Sequence, residues 1–402
     1  MKNTVALFLS LITIYSCSEQ KKRSTQQQAG ESIAIDLNSK AISLSHELII
    51  ADGHVDLPYR LNNRWEDVSV RTPTGHFDFV RAKEGGLDAP FMSIYIPSDR
   101  EMNGAMDLAL KLIASVEKLV DDYPGKFALA NSPGEIKANF DKGLISLPMG
   151  LENGAPVEGK LDHINILFEK GIRYITLTHA KDNHISDSSY DQKYTHGGLS
   201  PFGYKVIDQM NQLGIMVDVS HVSDSAFYQA IRHSKSPAIA SHSSCRHFTP
   251  GFERNVSDEM IKLIANHGGI IMINFGSSFI TKKGNDFGKI KTAVIQGLDA
   301  NDPIAIAKVD SLKSVPKIMG NISMVADHID HVVSLVGIDH VGFGSDFDGV
   351  SNLPIGLEDA SKIPDLIHEL LRRGYSDEDI AKICSKNLFR VWNEVIAISA
   401  KL

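Results

Sequence analysis

Met216-Val217-Asp218-Val219-Ser220-His221-Val222-Ser223 is the stretch on which the fold turns. It reads as a short strand, Met216–Ser220, closed by a histidine. A helix over Ser223–Ile231 follows at once, begun by a capping serine. Such strand–helix units recur along the chain. Further strands are expected at Leu48–His54, Ala89–Ile96, Ile145–Leu151, Tyr174–Thr178, Ala238–Ser241, Ile270–Phe275 and Val341–Ser345. Their successive apolar or β-branched residues suit parallel strands buried on both faces. Helical spacing marks Met106–Val120, Leu161–Glu169, Ser257–Asn266 and Asn321–Val336, and two helices, Leu357–Arg373 and Ser376–Ile396, close the chain. Eight such alternations predict a (β/α)8 barrel, the TIM-barrel class. The stretch 276–320 after the seventh strand is too long for a plain barrel connection. It is expected to be a partly helical insertion over the barrel mouth.

In this fold the chemistry lies at the C-terminal strand ends. Sorting the 16 histidines by that rule separates them. His163, His233, His267, His328, His331 and His368 fall on helical stretches, and His340 precedes the last strand; all seven read as structural or solvated. His54, His179, His221 and His242 end strands one, four, five and six. Carboxylates join them. Asp56 lies two residues from His54, so in extended chain both point to one side. Glu152 ends strand three and Asp346 strand eight. His and carboxylate donors without thiolate suit Zn2+. The set exceeds what one open catalytic zinc needs, and a bridging Glu would serve two ions.

Composition is that of a globular protein, 43% hydrophobic and 22% charged, which excludes collagen-like and wholly disordered chains. A net charge of −8 speaks against a nucleic-acid partner. Three Cys exclude a disulfide framework; Cys245 and Cys384 could pair, though nothing demands it. The N-terminus has one early lysine, an apolar run from Val5 to Ile14, and then Tyr15-Ser16-Cys17. That is a secretory signal over residues 1–16, too short to span a bilayer. Ile14-Tyr15-Ser16-Cys17 resembles a bacterial lipobox, in which Cys17 becomes the lipidated first residue. The alternative is a plain signal with an incidental Cys. Residues 17–39 are polar, with Gln26-Gln27-Gln28, and read as a flexible tether. The remainder, 40–402, reads as one catalytic domain. The expected location is exported and membrane-anchored, on the periplasmic or cell-surface side.

The ordered motifs resemble the membrane (renal) dipeptidase family of zinc metallopeptidases, within the amidohydrolase superfamily. They are Asp52-Gly53-His54-Val55-Asp56-Leu57-Pro58, Thr176-Leu177-Thr178-His179, Gly197-Gly198-Leu199-Ser200-Pro201-Phe202-Gly203 and Val217-Asp218-Val219-Ser220-His221. Ser241-His242-Ser243-Ser244, Arg254-Asn255-Val256 and Gly344-Ser345-Asp346-Phe347-Asp348-Gly349 continue the series. The resemblance implies two Zn2+ per chain, one on His54 and Asp56, the other on His221 and His242, with Glu152 between them. It implies that His179 faces the scissile carbonyl, Arg254 the substrate carboxylate, and that Asp346 handles protons. The implied substrate is a dipeptide, and a homodimer is allowed. On general grounds such an ion pair supplies a bridging hydroxide near neutral pH. An arginine fork suits a free carboxylate better than lysine does. Two rivals remain at this point. One is a related amidohydrolase acting on N-acyl amino acids or lactams. The other is a non-catalytic peptide-binding lipoprotein, disfavoured because no ligand is missing and Asp346 is present.

Overall fold

The computed structural model describes residues 36–295, 302–304, 307–308 and 319–402. The signal segment, Cys17 and most of the tether lie outside the described residues. Residues 36–39, expected at the end of the tether, open a helix over 36–47.

Among the described residues ten strands form: β1 Ile50–Val55, β2 Leu87–Tyr95, β3 Phe127–Leu129, β4 Ile145–Leu147, β5 Met149–Glu152, β6 Ile172–Thr176, β7 Met216–Asp218, β8 Ile239–Ala240, β9 Ile270–Ile273 and β10 Val341–Phe343. Eight of them close a parallel barrel in the order β1-β10-β9-β8-β7-β6-β5-β2, and β3 and β4 form a small parallel pair beside it. The (β/α)8 barrel read from sequence is therefore the fold. The expected third strand, Ile145–Leu151, is corrected. Pro148 has no N–H to give a ladder, so the run divides there. Its first half pairs with β3. Its second half enters the barrel, where the Met92 amide donates to the Pro148 carbonyl at 2.7 Å. The expected helix over Leu357–Arg373 starts only at Ile363, where Pro364 occupies the first turn, and a 3-10 turn capped by Asp359 precedes it. The last expected helix is a short helix, Asp377–Ala381, a π turn, Lys382–Lys386, and a longer helix, Asn387–Ser399.

That last helix plugs the bottom of the barrel. Leu388, Val391, Trp392 and Val395 pack with Ala51, Ala89, Phe91, Tyr174, Met216 and Ile270 in one buried cluster. The Trp392 and Phe91 rings sit 5.2 Å apart. Burying so large a side chain is worth several kcal/mol, which fixes the floor beneath the site. The outer helices bury one face each against the strands, and serines begin them as expected: the Ser223 hydroxyl accepts from the Ala226 amide and Ser257 from Met260. Between β9 and the helix Ile322–Val336 the described residues include helices Ser277–Ile280 and Lys282–Ile295, so the insertion is helical in its first half. Cys245 and Cys384 are both free and buried, so the open question of their pairing resolves against a bridge. Among the described residues no helix is long and apolar enough to cross a membrane.

The rim carries one ionic clamp with a readable pH signature. Glu369 accepts from Arg372 at 2.7 Å and from Arg373 Nε at 2.8 Å, while Arg373 also reaches Asp327 and Asp330 on the helix Ile322–Val336. The Arg372 bonds, against an opposing burial effect and with help from Arg373, hold the Glu369 carboxyl down at about 2. A depressed carboxylate contributes stability above its ordinary value and loses it as pH falls through the depressed one. Glu369→Gln should therefore lower unfolding free energy by about 1–2 kcal/mol at pH 7. The deficit should shrink between pH 4.5 and 2; denaturant titrations at several pH values would show it.

Candidate metal centre

The site stands at the C-terminal ends of the strands, and each residue arrives by a local device. His54 lies within β1, and Glu152 is the last residue of β5. His179, His221, His242 and Asp346 fall two or three residues beyond the last paired residue of β6, β7, β8 and β10. These strands end earlier than the sequence suggests because the chain must turn the side chains inward. His221 and Asp346 do so with left-handed backbone, φ 69° and 62°. Such angles are costly away from glycine and collect where function over-determines them.

Two buried aspartates anchor those turns. Asp218 Oδ1 accepts the amides of Ser220 and Ser241, 3.0 and 2.9 Å, stitching β7 to the end of β8. Asp52 Oδ1 accepts the amides of His54 and Ser345, 3.0 and 2.9 Å, stitching β1 to the end of β10. Neither was singled out from sequence. Their signal was present: a carboxylate inside an otherwise apolar strand must find donors.

At the centre the carboxylate of Glu152 divides its oxygens. Oε2 lies 3.3 Å from His54 Nε2, and Oε1 lies 3.1 Å from His221 Nε2 and 3.4 Å from His242 Nε2. His54 Nε2 is also 3.4 Å from Asp56 Oδ2. His179 Nε2 stands 3.5 Å from Glu152 Oε1. Asp346 completes a group with His54 and Asp56 whose donor atoms all fall within 4.8 Å. All seven expected residues, His179 among them, thus meet in one place. Gly349 lets them do so: a Cβ there would meet Asp56 Oδ2 at 2.1 Å and Asp346 Oδ1 at 2.3 Å.

The outer partners fix the imidazoles. Ser241 Oγ donates to Asp218 Oδ2 at 2.6 Å and so accepts from His242 Nδ1, 2.8 Å away. That leaves the Nε2 lone pair of His242 facing the site, the arrangement metal-bound histidines adopt. His54 Nδ1 is engaged by the Tyr174 hydroxyl at 2.8 Å. Asn274 Nδ2 donates to Asp346 Oδ2 at 2.8 Å, and Ser93 Oγ donates to Glu152 Oε2 at 3.2 Å. Tyr174, Ser241, Asn274 and Ser93 also escaped the sequence reading, since single polar residues at strand ends carry no distinctive spacing.

The donor set fits divalent cations on three counts. Burial, reinforced for His242 by His54 and Arg254 and for His221 by Arg254 and His179, drives both imidazoles well below their ordinary range, which favours the neutral form that binds metal. Burial opposes ionisation of Glu152, yet His54 and His179 hold its carboxyl well below the usual range. Burial and the adjacent Asp56 push Asp346 well above the usual range, while Tyr174, Glu152 and Asp56 raise His54 against its burial. The last pair marks an anionic cluster in need of positive charge, and His54 Nε2 is buried with no hydrogen-bond partner.

Arg254 is placed differently from a bare anchor. It is buried, with Nη1 donating to Ser243 Oγ at 2.6 Å and Nη2 to the His242 carbonyl at 2.8 Å; its Nε is unpartnered. Its guanidinium lies 5.3 Å from the Phe279 ring of the insertion. Asp348, which also lines the cavity over the cluster, is engaged elsewhere: it accepts from Arg60 Nη1 at 3.0 Å and from the His76 amide at 2.6 Å. Above the cluster opens a cavity of about 980 Å³, walled by Tyr59, Tyr95, His179, Tyr190 and Phe279. That is the upper range for small-molecule sites.

A closed parallel barrel with histidines and carboxylates converging at its mouth defines a metal-dependent hydrolase of the amidohydrolase type. Residues 38–402 match the family model of the membrane dipeptidases, peptidase family M19, and the chain belongs to that family. It is 31% identical over 380 residues to dipeptidase verJ of Clonostachys rogersoniana, covering 90% of this chain and 88% of that one. Dipeptidase 3 of Rattus norvegicus is 30% identical over 376 residues, covering 91% of this chain and 69% of its own. Among solved structures, the probable dipeptidase PvdM from Pseudomonas aeruginosa superposes with a TM-score of 0.80 at 27% identity, covering 90% of this chain and 99% of that chain. A metallo peptidase from Rhodobacter sphaeroides, liganded with a phosphinate mimic of L-Ala-D-Ala, shares the fold with a TM-score of 0.72 at 24% identity, covering 87% and 99%.

Proposed function

We propose that the chain is a zinc-dependent dipeptidase holding two Zn2+, one on His54 and Asp56, one on His221 and His242, with Glu152 shared. The observation that carries this reading is the division of the Glu152 oxygens between two histidine sets. When bound, the ions supply Lewis acidity and a water ionised near neutral pH. The protein's own groups do the rest. His179, on the cavity wall beside Glu152, donates to the carbonyl oxygen as charge develops there. Asp346 takes the proton of the attacking water and delivers it to the leaving amine; Asn274 holds its other oxygen in place. Arg254 offers its unpartnered Nε and its spare N–H bonds to the free carboxylate of a dipeptide.

Metal analysis with a substrate panel tests the reading. Dipeptides should be cleaved, N-acyl amino acids and lactams poorly, and metal should saturate near two equivalents. A single ion in the fully active enzyme would contradict it. Amidating the C-terminus of a good dipeptide should cost the wild type on the order of 10²-fold in kcat/KM, the scale of a lost charged contact of about 3 kcal/mol. Arg254→Ala should lose little more on amidation. Equal losses in both would leave Arg254 only its visible role of holding the His242 carbonyl.

We further propose that the protein is exported and anchored through a lipidated Cys17, as the lipobox-like sequence suggests. Cys17→Ala should release an active domain from membranes after high-salt washing. Equal membrane retention of both forms would exclude the anchor.

A further inference from the structure

Four clusters among the described residues bring three metal-capable side chains together; three belong to the barrel mouth, and the fourth does not. It consists of His247, Asp258 and His331, whose donor atoms all lie within 4.8 Å of one another. We propose that these residues form a separate surface site for a divalent transition ion, Zn2+ being the best match to two imidazoles and a carboxylate.

Three elements converge to build it. His247 sits in the 3-10 turn Arg246–Phe248, Asp258 opens the helix Asp258–Asn266, and His331 lies on the helix Ile322–Val336. His331 Nε2 is 2.8 Å from Asp258 Oδ1, and its ring stacks on that of His247 at 4.4 Å between centroids and 26° between planes. Phe248, edge-on to His331 at 5.6 Å, backs the pair. Tetrahedral ligands at ~2.1 Å from zinc stand about 3.4 Å apart, so His331 and Asp258, at 2.8 Å, must part slightly while His247 closes in from within 4.8 Å. His247 can make it: the residue is exposed, and its ring nitrogens have no hydrogen-bond partner among the described residues. Arg246, the nearest cation in sequence, does not compete for Asp258. Its guanidinium is taken by Asp224, at 2.6 and 2.7 Å, and by backbone carbonyls.

The position gives the site a consequence. The turn bearing His247 lies on the stretch from His242, at the barrel mouth, to Arg254. An ion here pins that stretch to the helix Ile322–Val336, to which Cys245 is already tied through its amide and His328 Nδ1 at 3.0 Å. The site stabilises the loop from outside and takes no part in the chemistry.

The test uses the full-length protein dialysed to constant metal content, then titrated with Zn2+ by calorimetry and with Co2+ by its visible absorption. One further equivalent should bind, and thermal unfolding should shift upward with added ion. His247→Ala should weaken this binding at least about tenfold, since even losing an outer partner of a ligand costs that much. Its resident metal content, and its turnover before the extra ion is added, should match wild type. Asp258→Asn should weaken the extra binding similarly. Absence of further binding at millimolar ion, or binding that His247→Ala leaves intact, would overturn the proposal.

Discussion

Glu152→Gln should strip both metals from the barrel mouth together and leave the fold standing. The substitution keeps shape but removes the charge that both histidine sets share through opposite oxygens. Neutral amide oxygen is a poor bridge, and the remaining carboxylates at the centre, Asp56 and Asp346, group with His54. Turnover should fall by at least about 10³-fold, the equivalent of ~4 kcal/mol of lost Lewis-acid stabilisation. Elemental analysis should show both equivalents weakened, while circular dichroism retains the native spectrum, because the apolar barrel and its Trp392 floor do not depend on the site. Loss of one equivalent with the other at full occupancy would show that Glu152 belongs to a single ion.

Asp346→Asn should behave differently: metal retained, KM little changed, and turnover reduced about 10²- to 10⁴-fold. Asparagine can still accept from Asn274 through its carbonyl, so the side chain keeps its place. It cannot carry a proton. The neighbouring carboxylate is a poor substitute, because Asp348 is already bound to Arg60 and the His76 amide. If the variant loses metal, Asp346 is a ligand completing the His54–Asp56 group; if it keeps both metal and near-normal turnover, the protons travel elsewhere.

Barrel and site were legible to different depths. The strand-end histidines could be found because the TIM fold converts sequence position into spatial convergence. His54 and Asp56 share a side by the period of extended chain, and the structure puts them 3.4 Å apart. What stayed hidden depends on contacts between distant strands. The Ser241–Asp218 and Tyr174–His54 pairings join residues 23 and 120 positions apart. The actual stance of Arg254, bound to His242 and Ser243, likewise follows from a loop path that no local rule specifies. Pro148 was the exception: its missing N–H announces the division of the third strand, and only the apolar run around it masked the signal.

The seam between β1 and β10 has a kinetic consequence. It joins the two ends of the domain through the pairs Asp52 with Phe343 and Val55 with Phe347, and through the amide of Ser345, 293 positions along the chain from Asp52. Contacts of such separation bear the largest loop-closure entropy and form late. Asp56 from one side of that seam and Asp346 from the other meet across it, and burial with Asp56 disfavours the charged form of Asp346 there. Closing the seam is therefore expected late in refolding, and it brings these two carboxyl groups together. Cations that gather the two sides would speed closure and slow reopening. Refolding in the presence of a chelator should then accumulate an open barrel that already has its helices, and added metal should convert it to the closed form.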